Sequence, residues 1–380
     1  MRVAIDIRRV DDFGIGTYIR NIVNEFARTD GQTEYLLIGQ ERHLREFDSL
    51  PNNFKMLHYP AEPGSFRTHM HLPFLLRKHE VDILHMPWFY APAVVSTRLV
   101  LTVHDLTDVL SPPAGATPLV QAGRMYFARR ALKRADRILA VSQSSKRELA
   151  RVFGVPEGKI EVIYNALDER FVRELMPGDG DRILERHAVT DPFVLYAGNI
   201  KPQKNLPRLI EAFAVAKSAL HEHPEYSNLK LLLIGNSAEE HSDLRRAVLR
   251  SRVQGDVRFL GFVPHSVLRV FYARARAFLF PSLYEGFGLP PLEAMAHGTP
   301  VLTSNASSLP EVFEQAALMV NPENVFEIAR GIRQIVTEDA IREDLIRRGH
   351  ELVRKYSWER SAEQVREVYG SVLAKHPARK

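Results

Sequence analysis

The chain has 380 residues, 45% of them apolar and 26% charged, which is ordinary for a soluble globular protein and excludes a disordered or fibrous one. Lys and Arg total 51 against 46 Asp and Glu, a net charge of +5 that does not call for nucleic acid as a partner. There is no cysteine, so disulfides, thiolate nucleophiles, Cys-ligated zinc and iron–sulfur clusters are excluded.

The opening MRVAIDIRRV reads as a buried strand, Val3–Ile7, rather than a signal peptide. No window approaches the roughly 20 apolar residues of a spanning helix, so any membrane contact is expected to be peripheral. Further short, β-branched, nearly continuous apolar runs predict strands at Tyr35–Ile38, Asp82–His85, Leu99–His104, Arg137–Val141 and Ile160–Tyr164. Such runs are how a parallel sheet reads when helices cover both faces. Helical stretches lie between them at Thr17–Ala27 and Ala122–Ala135, and Ser145 with Glu148 has the spacing of a capping box.

The second half repeats this style, with strands expected at Phe193–Ala197, Leu229–Ile234, Val257–Phe259, Ala277–Phe280 and Pro300–Thr303. Helices are expected at Leu206–Ala219, Phe326–Val336 and Trp358–Ala374, and Glu174–Pro192 reads as linker or linker plus short helix. Alternating strands and helices in both halves predict two doubly wound α/β domains with a cleft between them. Ligands of such sheets bind beyond the carboxyl ends of the strands.

The strongest chemical signal, Pro281–Pro300, begins where a predicted strand ends. Glu285-Gly-Phe-Gly288 forms a loop, Pro290 or Pro291 suits a first helical turn, and Gly298 suits a C-terminal cap. A glycine loop opening onto a helix start attracts an anion such as a diphosphate. Glu285 and Glu293 would border the same ligand, where carboxylates suit sugar hydroxyls. A second run, Gly198-Asn-Ile-Lys201-Pro-Gln-Lys204-Asn205, offers two lysines as point charges for a phosphate. A third, Gly14-Ile-Gly16, allows close backbone approach but carries Ile19 where a dinucleotide fingerprint needs its third glycine. His104, held by Asp105, could orient a substrate hydroxyl, and His85 is a weaker analogue. Between Gln121 and Ile160 stand ten Lys/Arg and three acids, and the cluster from Arg124 to Arg137 suggests a basic helical face for an anionic membrane or acidic acceptor.

Taken together these residues resemble glycosyltransferase family 4, the retaining group 1 transferases of GT-B fold. Glu285-Gly-Phe-Gly-Leu-Pro-Pro-Leu-Glu293 looks like that family's Glu-x7-Glu signature, and Phe262-Val263-Pro, Gly198…Lys204-Asn205, Gly14/Gly16 and His104-Asp105 occur in the family's order. The resemblance implies two Rossmann-like domains with parallel sheets facing across a cleft. Residues 1–173 with 358–380 would form the acceptor-side domain, the final helix crossing back onto it, and 174–357 the donor-binding domain. It implies that Glu285 contacts the donor sugar's hydroxyls, helped by the amides of Phe287, Gly288 and Leu289, and that Glu293 binds the ribose. Lys204 would bind the diphosphate, Gly16 would bring backbone near the donor phosphate and acceptor, and Phe262-Val263 would border the base. His104 would face the transferred sugar, with Gly14, His85 and Asp105 on the acceptor or sugar side. Asn199 stands where many members carry Arg, a loss for which Lys201 would compensate.

The implied activity is retaining, metal-independent transfer of a hexose in polysaccharide biosynthesis, with no cofactor, to a saccharide or lipid-linked acceptor. The His104-Asp105 context resembles members that use GDP-mannose; UDP-sugar donors, or a nucleotide-sugar epimerase of the same fold, are the alternatives. The expected place is the cytoplasm, at the inner face of the plasma membrane.

Overall fold

The chain divides into two units, Met1–Ala166 with Ser357–Lys380 and Leu167–Tyr356. The computed structural model describes residues 1–47, 49–92, 94–110, 117–172, 178–235 and 241–374.

In the first unit β1 (Arg2–Asp6), β2 (Glu34–Gly39), β3 (Phe54–His58), β4 (Ile83–Met86), β5 (Arg98–Val103), β6 (Arg137–Ala140) and β7 (Ile160–Val162) stand in the order β3-β2-β1-β4-β5-β6-β7. In the second, β8 (Phe193–Ala197), β9 (Lys230–Ile234), β10 (Val257–Gly261), β11 (Ala277–Phe280), β12 (Val301–Ser304) and β13 (Ala317–Val320) stand in the order β10-β9-β8-β11-β12-β13. Every recorded pairing is parallel. The central strands are buried throughout because helices cover both faces, which is why they read as continuous apolar runs. Strand order reverses between β1 and β4 and between β8 and β11. Loops leaving such a pair turn to opposite faces and open a crevice at the carboxyl ends.

β3 and β13 add to the expected strands. Both lie at sheet edges, and β3 carries mostly exposed side chains, so it lacks the apolar run that marks a covered strand. The chain passes from the first unit to the second after Ala166 rather than after residue 173. The short helix Glu169–Phe171 explains the shift: its Phe171 ring sits edge-on to Tyr272 and His265 of the second unit. In the expected linker, residues 174–177 lie outside the described residues, and Asp179–Arg186 is a helix joined to the Arg274 guanidinium by Asp181 at 2.8 Å. The helix expected from Ser145 begins earlier: Ser142 caps Gln143–Phe153 by accepting the Ser145 amide at 3.0 Å. The basic helix is Pro118–Arg134, and Arg137 instead heads β6.

Trp358–Ala374 packs within the first unit. Its Tyr369 hydroxyl lies 2.5 Å from His85 Nδ1, while His85 Nε2 lies 2.8 Å from Thr102 Oγ1. Thr102 donates onward to the Tyr18 hydroxyl at 3.1 Å. That direction assigns the His85 proton to Nε2 and leaves Nδ1 to accept from Tyr369. Full burial, with His104 nearby, pushes the His85 pKa down to about 3, so the ring is neutral at neutral pH. His85 therefore cannot face a sugar as the sequence reading expected. It joins the last helix to the sheet, and both of its nitrogens are occupied by protein.

Tyr369→Phe removes the donor to a fully buried imidazole nitrogen. It should lower the stability measured by urea denaturation by about 1–3 kcal/mol; an unchanged midpoint would contradict this bond.

Candidate active site

In the second unit the loops after β8 and β11 flank the point where strand order reverses, and the local sequence bolts them together. Gly198 adopts φ +149°, a conformation open to glycine. The Tyr196 hydroxyl then donates to the Asn199 carbonyl at 2.9 Å. One turn of 3₁₀ helix, Pro202–Lys204, ends at Asn205 with φ +62°. The buried Asn205 amide donates to the carbonyls of Pro281 at 3.0 Å and Pro322 at 2.7 Å. The Leu283 amide donates back to Gln203 at 2.8 Å.

These bonds bring Lys204 Nζ to 2.6 Å from Glu285 Oε1, with the two side chains 14% and 11% exposed. The same ammonium lies 5.0 Å from the centre of the Phe280 ring. The Glu285 main chain is fixed from the other side. Its amide donates to Ser307 Oγ at 3.2 Å, and its carbonyl accepts from the Ser307 and Ser308 hydroxyls at 2.6 and 2.9 Å. Gly288, at φ +102°, begins the helix Leu289–Ala296. A Cβ there would strike Leu309 and Phe313 at 2.9 and 3.0 Å, so both space and backbone demand glycine. No side chain caps this helix start; Pro290 and Pro291 carry no N–H, so the amides of Gly288 and Leu289 and the positive dipole end are what it offers an anion. The buried Phe287 ring packs edge-on to Tyr356 at 5.3 Å, so that residue can offer the site only its backbone.

Glu293 lies one turn further along and accepts a hydrogen bond from the Tyr272 hydroxyl at 2.9 Å. The residue keeps some exposed surface, but its carboxyl group sits within packed protein. Desolvation pushes its pKa up to about 7; the Tyr272 bond opposes the rise and Asp168 adds to it. His297 stacks on Tyr272 at 5.9 Å. Phe262 is exposed beside buried Val263 at the end of β10.

Lys201 does not join Lys204. It is exposed and lines a separate cavity of about 360 Å³ with Asn205, Arg208, Glu211 and His241. The Asn199 side-chain oxygen is buried and has no hydrogen-bond partner among the described residues.

In the first unit Gly14 is exposed with open space around it, whereas a Cβ on buried Gly16 would collide with the Val10 carbonyl. Backbone therefore passes closely there. His104 lies at the end of β5, its ring 5.0 Å from that of Tyr18. Burial, with Arg9 nearby, pushes its pKa down to about 3. Its Nε2 is buried and makes no hydrogen bond among the described residues. Asp105 does not hold it: that carboxylate accepts the Thr107 amide at 2.8 Å instead, as an aspartate does when it starts a turn.

Sequence reasoning missed Tyr272, Ser307 and Tyr18, and named Asn205 in the lysine loop without giving it a role. Only Asn205 carried a signal, as a residue tolerant of positive φ between a lysine loop and a helix.

Two family models match the chain: one described as glycosyl transferases group 1, over residues 181–352, and one described as Glycosyltransferase Family 4, over residues 14–171. The O-antigen chain mannosyltransferase B of Escherichia coli is 33% identical over 295 residues, 77% of this chain and 75% of that protein. The serotype-specific mannosyltransferase WbdA of the same species is 32% identical over 248 residues, 63% of this chain but 29% of that longer protein. Among solved structures, Anabaena HepE in complex with UDP and glucose superposes with a TM-score of 0.77 at 19% identity, covering 98% of this chain and 100% of that one.

The position of the Glu293 carboxyl generates a pH test. Its pKa is raised from 4.5 to about 7, so across that window the native state keeps a proton that the unfolded chain has released. Stability should fall as pH rises through it. Urea denaturation at about pH 5 and about pH 8 should show a larger fall for wild type than for Glu293→Gln; equal falls would contradict the raised pKa.

Proposed function

The chain belongs to glycosyltransferase family 4, the group 1 transferases, and from that premise we propose that it moves mannose from GDP-mannose to a saccharide or lipid-linked saccharide. Transfer would retain the anomeric configuration, need no metal or other cofactor, and take place at the inner face of a plasma membrane. The observation that carries this reading is the Lys204–Glu285 pair beside an uncapped helix start at the strand-order reversal. The O-antigen mannosyltransferase relative supports the choice of sugar.

The chemistry follows from the charges. The bond between the anomeric carbon and the diphosphate oxygen breaks, and its electron pair leaves with the diphosphate. Lys204, the Gly288 and Leu289 amides and the positive end of the Leu289–Ala296 helix stabilise that charge in a largely dry setting. The leaving oxygen takes the proton of the acceptor hydroxyl on the same face of the sugar, so no side chain need act as nucleophile. Glu285 accepts hydrogen bonds from sugar hydroxyls, and Glu293, backed by Tyr272, accepts those of the ribose. Phe262 offers an exposed ring to the base. In the first unit Gly16 lets the start of the helix Phe13–Thr29 pack against the Val10 carbonyl, and neutral His104 presents to the sugar an Nε2 that is unpaired among the described residues. In this metal-free reading the compensating positive charge comes from Lys204 and backbone dipoles.

A transfer assay with labelled donors tests the reading. Label should move from GDP-mannose at the same rate in EDTA and in magnesium, and the new linkage should keep the donor's anomeric configuration. Loss in EDTA restored by magnesium would overturn the metal-free reading, and transfer from UDP-glucose alone would overturn the donor.

A further inference from the structure

The first unit carries a surface that the transfer reading does not use. The helix Phe66–Lys78 buries Thr68, Leu72 and Leu76 in the core. It turns Phe66, Met70 and Phe74 outward, 80%, 66% and 66% exposed. These three recur at four-residue spacing and form one outward stripe. The start of the helix is held from beneath: Ser65 caps it, and the buried Arg8, paired with Asp6, donates to Thr68 at 2.9 Å and to the Ala61 carbonyl at 2.6 Å. The stripe is therefore the outer face of a well-anchored helix.

The basic helix Pro118–Arg134 lies alongside. His69 of the first helix meets Phe127 of the second at 5.2 Å between ring centres. Leu119, Tyr126 and Phe127 are exposed in their turn. Between them the two helices hold Arg67, Arg77, Lys78, Arg124, Arg129, Arg130, Lys133 and Arg134, and neither contains an Asp or Glu. Arg134 is engaged by the carbonyls of Val95 and Thr97. Arg67, Arg77, Lys78, Arg124, Arg129 and Lys133 make no ion pair among the described residues. Both helices follow strands, β3 and β5, so both begin at the carboxyl edge of the sheet, where Gly16, in the first turn of the helix Phe13–Thr29, and His104 also lie.

We propose that Phe66, Met70 and Phe74, flanked by the cations of these two helices, form a face that docks on an anionic lipid bilayer and inserts its apolar side chains among the headgroups. Aromatic and sulfur side chains interleaved with uncompensated cations are the composition of an interfacial helix. Charge complementarity selects the occupant. A second copy meeting this face by a two-fold axis would set like charges against each other, and an exposed apolar patch of this kind calls for a covering. This deepens the membrane part of the proposed function: the basic helix is half of the surface, and the apolar anchors lie on its neighbour.

Vesicle sedimentation tests the face without calling on transferase activity, so its failure is distinguishable from failure of the catalytic reading. Wild type should sediment with phosphatidylcholine vesicles containing phosphatidylglycerol, not with phosphatidylcholine alone, and should be released by salt as charges are screened. Removing Arg124, Arg129, Arg130 and Lys133 as serines should weaken binding by about fivefold per charge. Phe66→Ser/Met70→Ser/Phe74→Ser should weaken it at least about tenfold while keeping the wild-type circular dichroism spectrum and, since none of the three lies in the proposed site, the wild-type nucleotide affinity. Three results would each overturn the proposal: no binding of wild type to the anionic vesicles, unchanged binding by the Phe66/Met70/Phe74 variant, or a wild-type dimer in sedimentation velocity that this variant converts to monomer.

Discussion

An ammonium and a carboxylate 2.6 Å apart, each nearly out of water, are what the loops of the second unit are arranged to hold. Such a pair is a poor source of stability, because desolvating two charges offsets most of their attraction. The structure nonetheless invests heavily in it. Asn205 takes a left-handed conformation to reach the Pro281 and Pro322 carbonyls, Ser307 and Ser308 fix the Glu285 main chain, and Gly288 sits where a Cβ would clash. Constraints of that kind fix a charge in place ahead of a ligand, which is what electrostatic stabilisation of a leaving group requires. The parallel topology explains the location: β8 and β11 are adjacent in the sheet but distant in sequence, so only their loops bring Lys204 and Glu285 together.

The first unit solves a different problem with histidines. His85 and His104 lie on neighbouring strand ends, and burial keeps both neutral. Only their partners distinguish them. Tyr369 and Thr102 occupy both nitrogens of His85, while Nε2 of His104 is unpaired among the described residues. Tyr18 touches both: it accepts from Thr102 and packs edge-on against His104. The last helix of the chain thereby reaches toward His104 through a run of hydrogen bonds and one ring contact.

Much of this was legible in the sequence, and for a common reason. The Pro281–Pro300 run and the Gly198–Asn205 loop each carry their conformation within a few residues, so glycines, prolines and an N-terminal helix turn can be read directly. Covered strands announce themselves by continuous apolar runs. What stayed hidden depends on partners distant in the chain. His85 looked like a site residue because nothing near it in sequence shows that Tyr369, 284 positions away, fills its valence. Asp105 looked like a partner for His104, whereas the amide two residues on is closer to hand. Lys201 and Lys204 looked equivalent, and a single 3₁₀ turn sends one to a separate cavity and the other to Glu285. Edge strand β3 escaped notice because an exposed strand has no need of apolar side chains.

The central claim is that Lys204 and Glu285 work as one device on the donor, and a double-mutant cycle on kcat/KM for the nucleotide sugar tests it most directly. Lys204→Met and Glu285→Gln should each cost roughly 10- to 150-fold, the equivalent of about 1.5–3 kcal/mol for a charge-assisted bond. The double variant should lose little more than the worse single one, a coupling of more than about 1 kcal/mol. Losses that simply multiply, or single variants that turn over donor at the wild-type rate, would contradict the account.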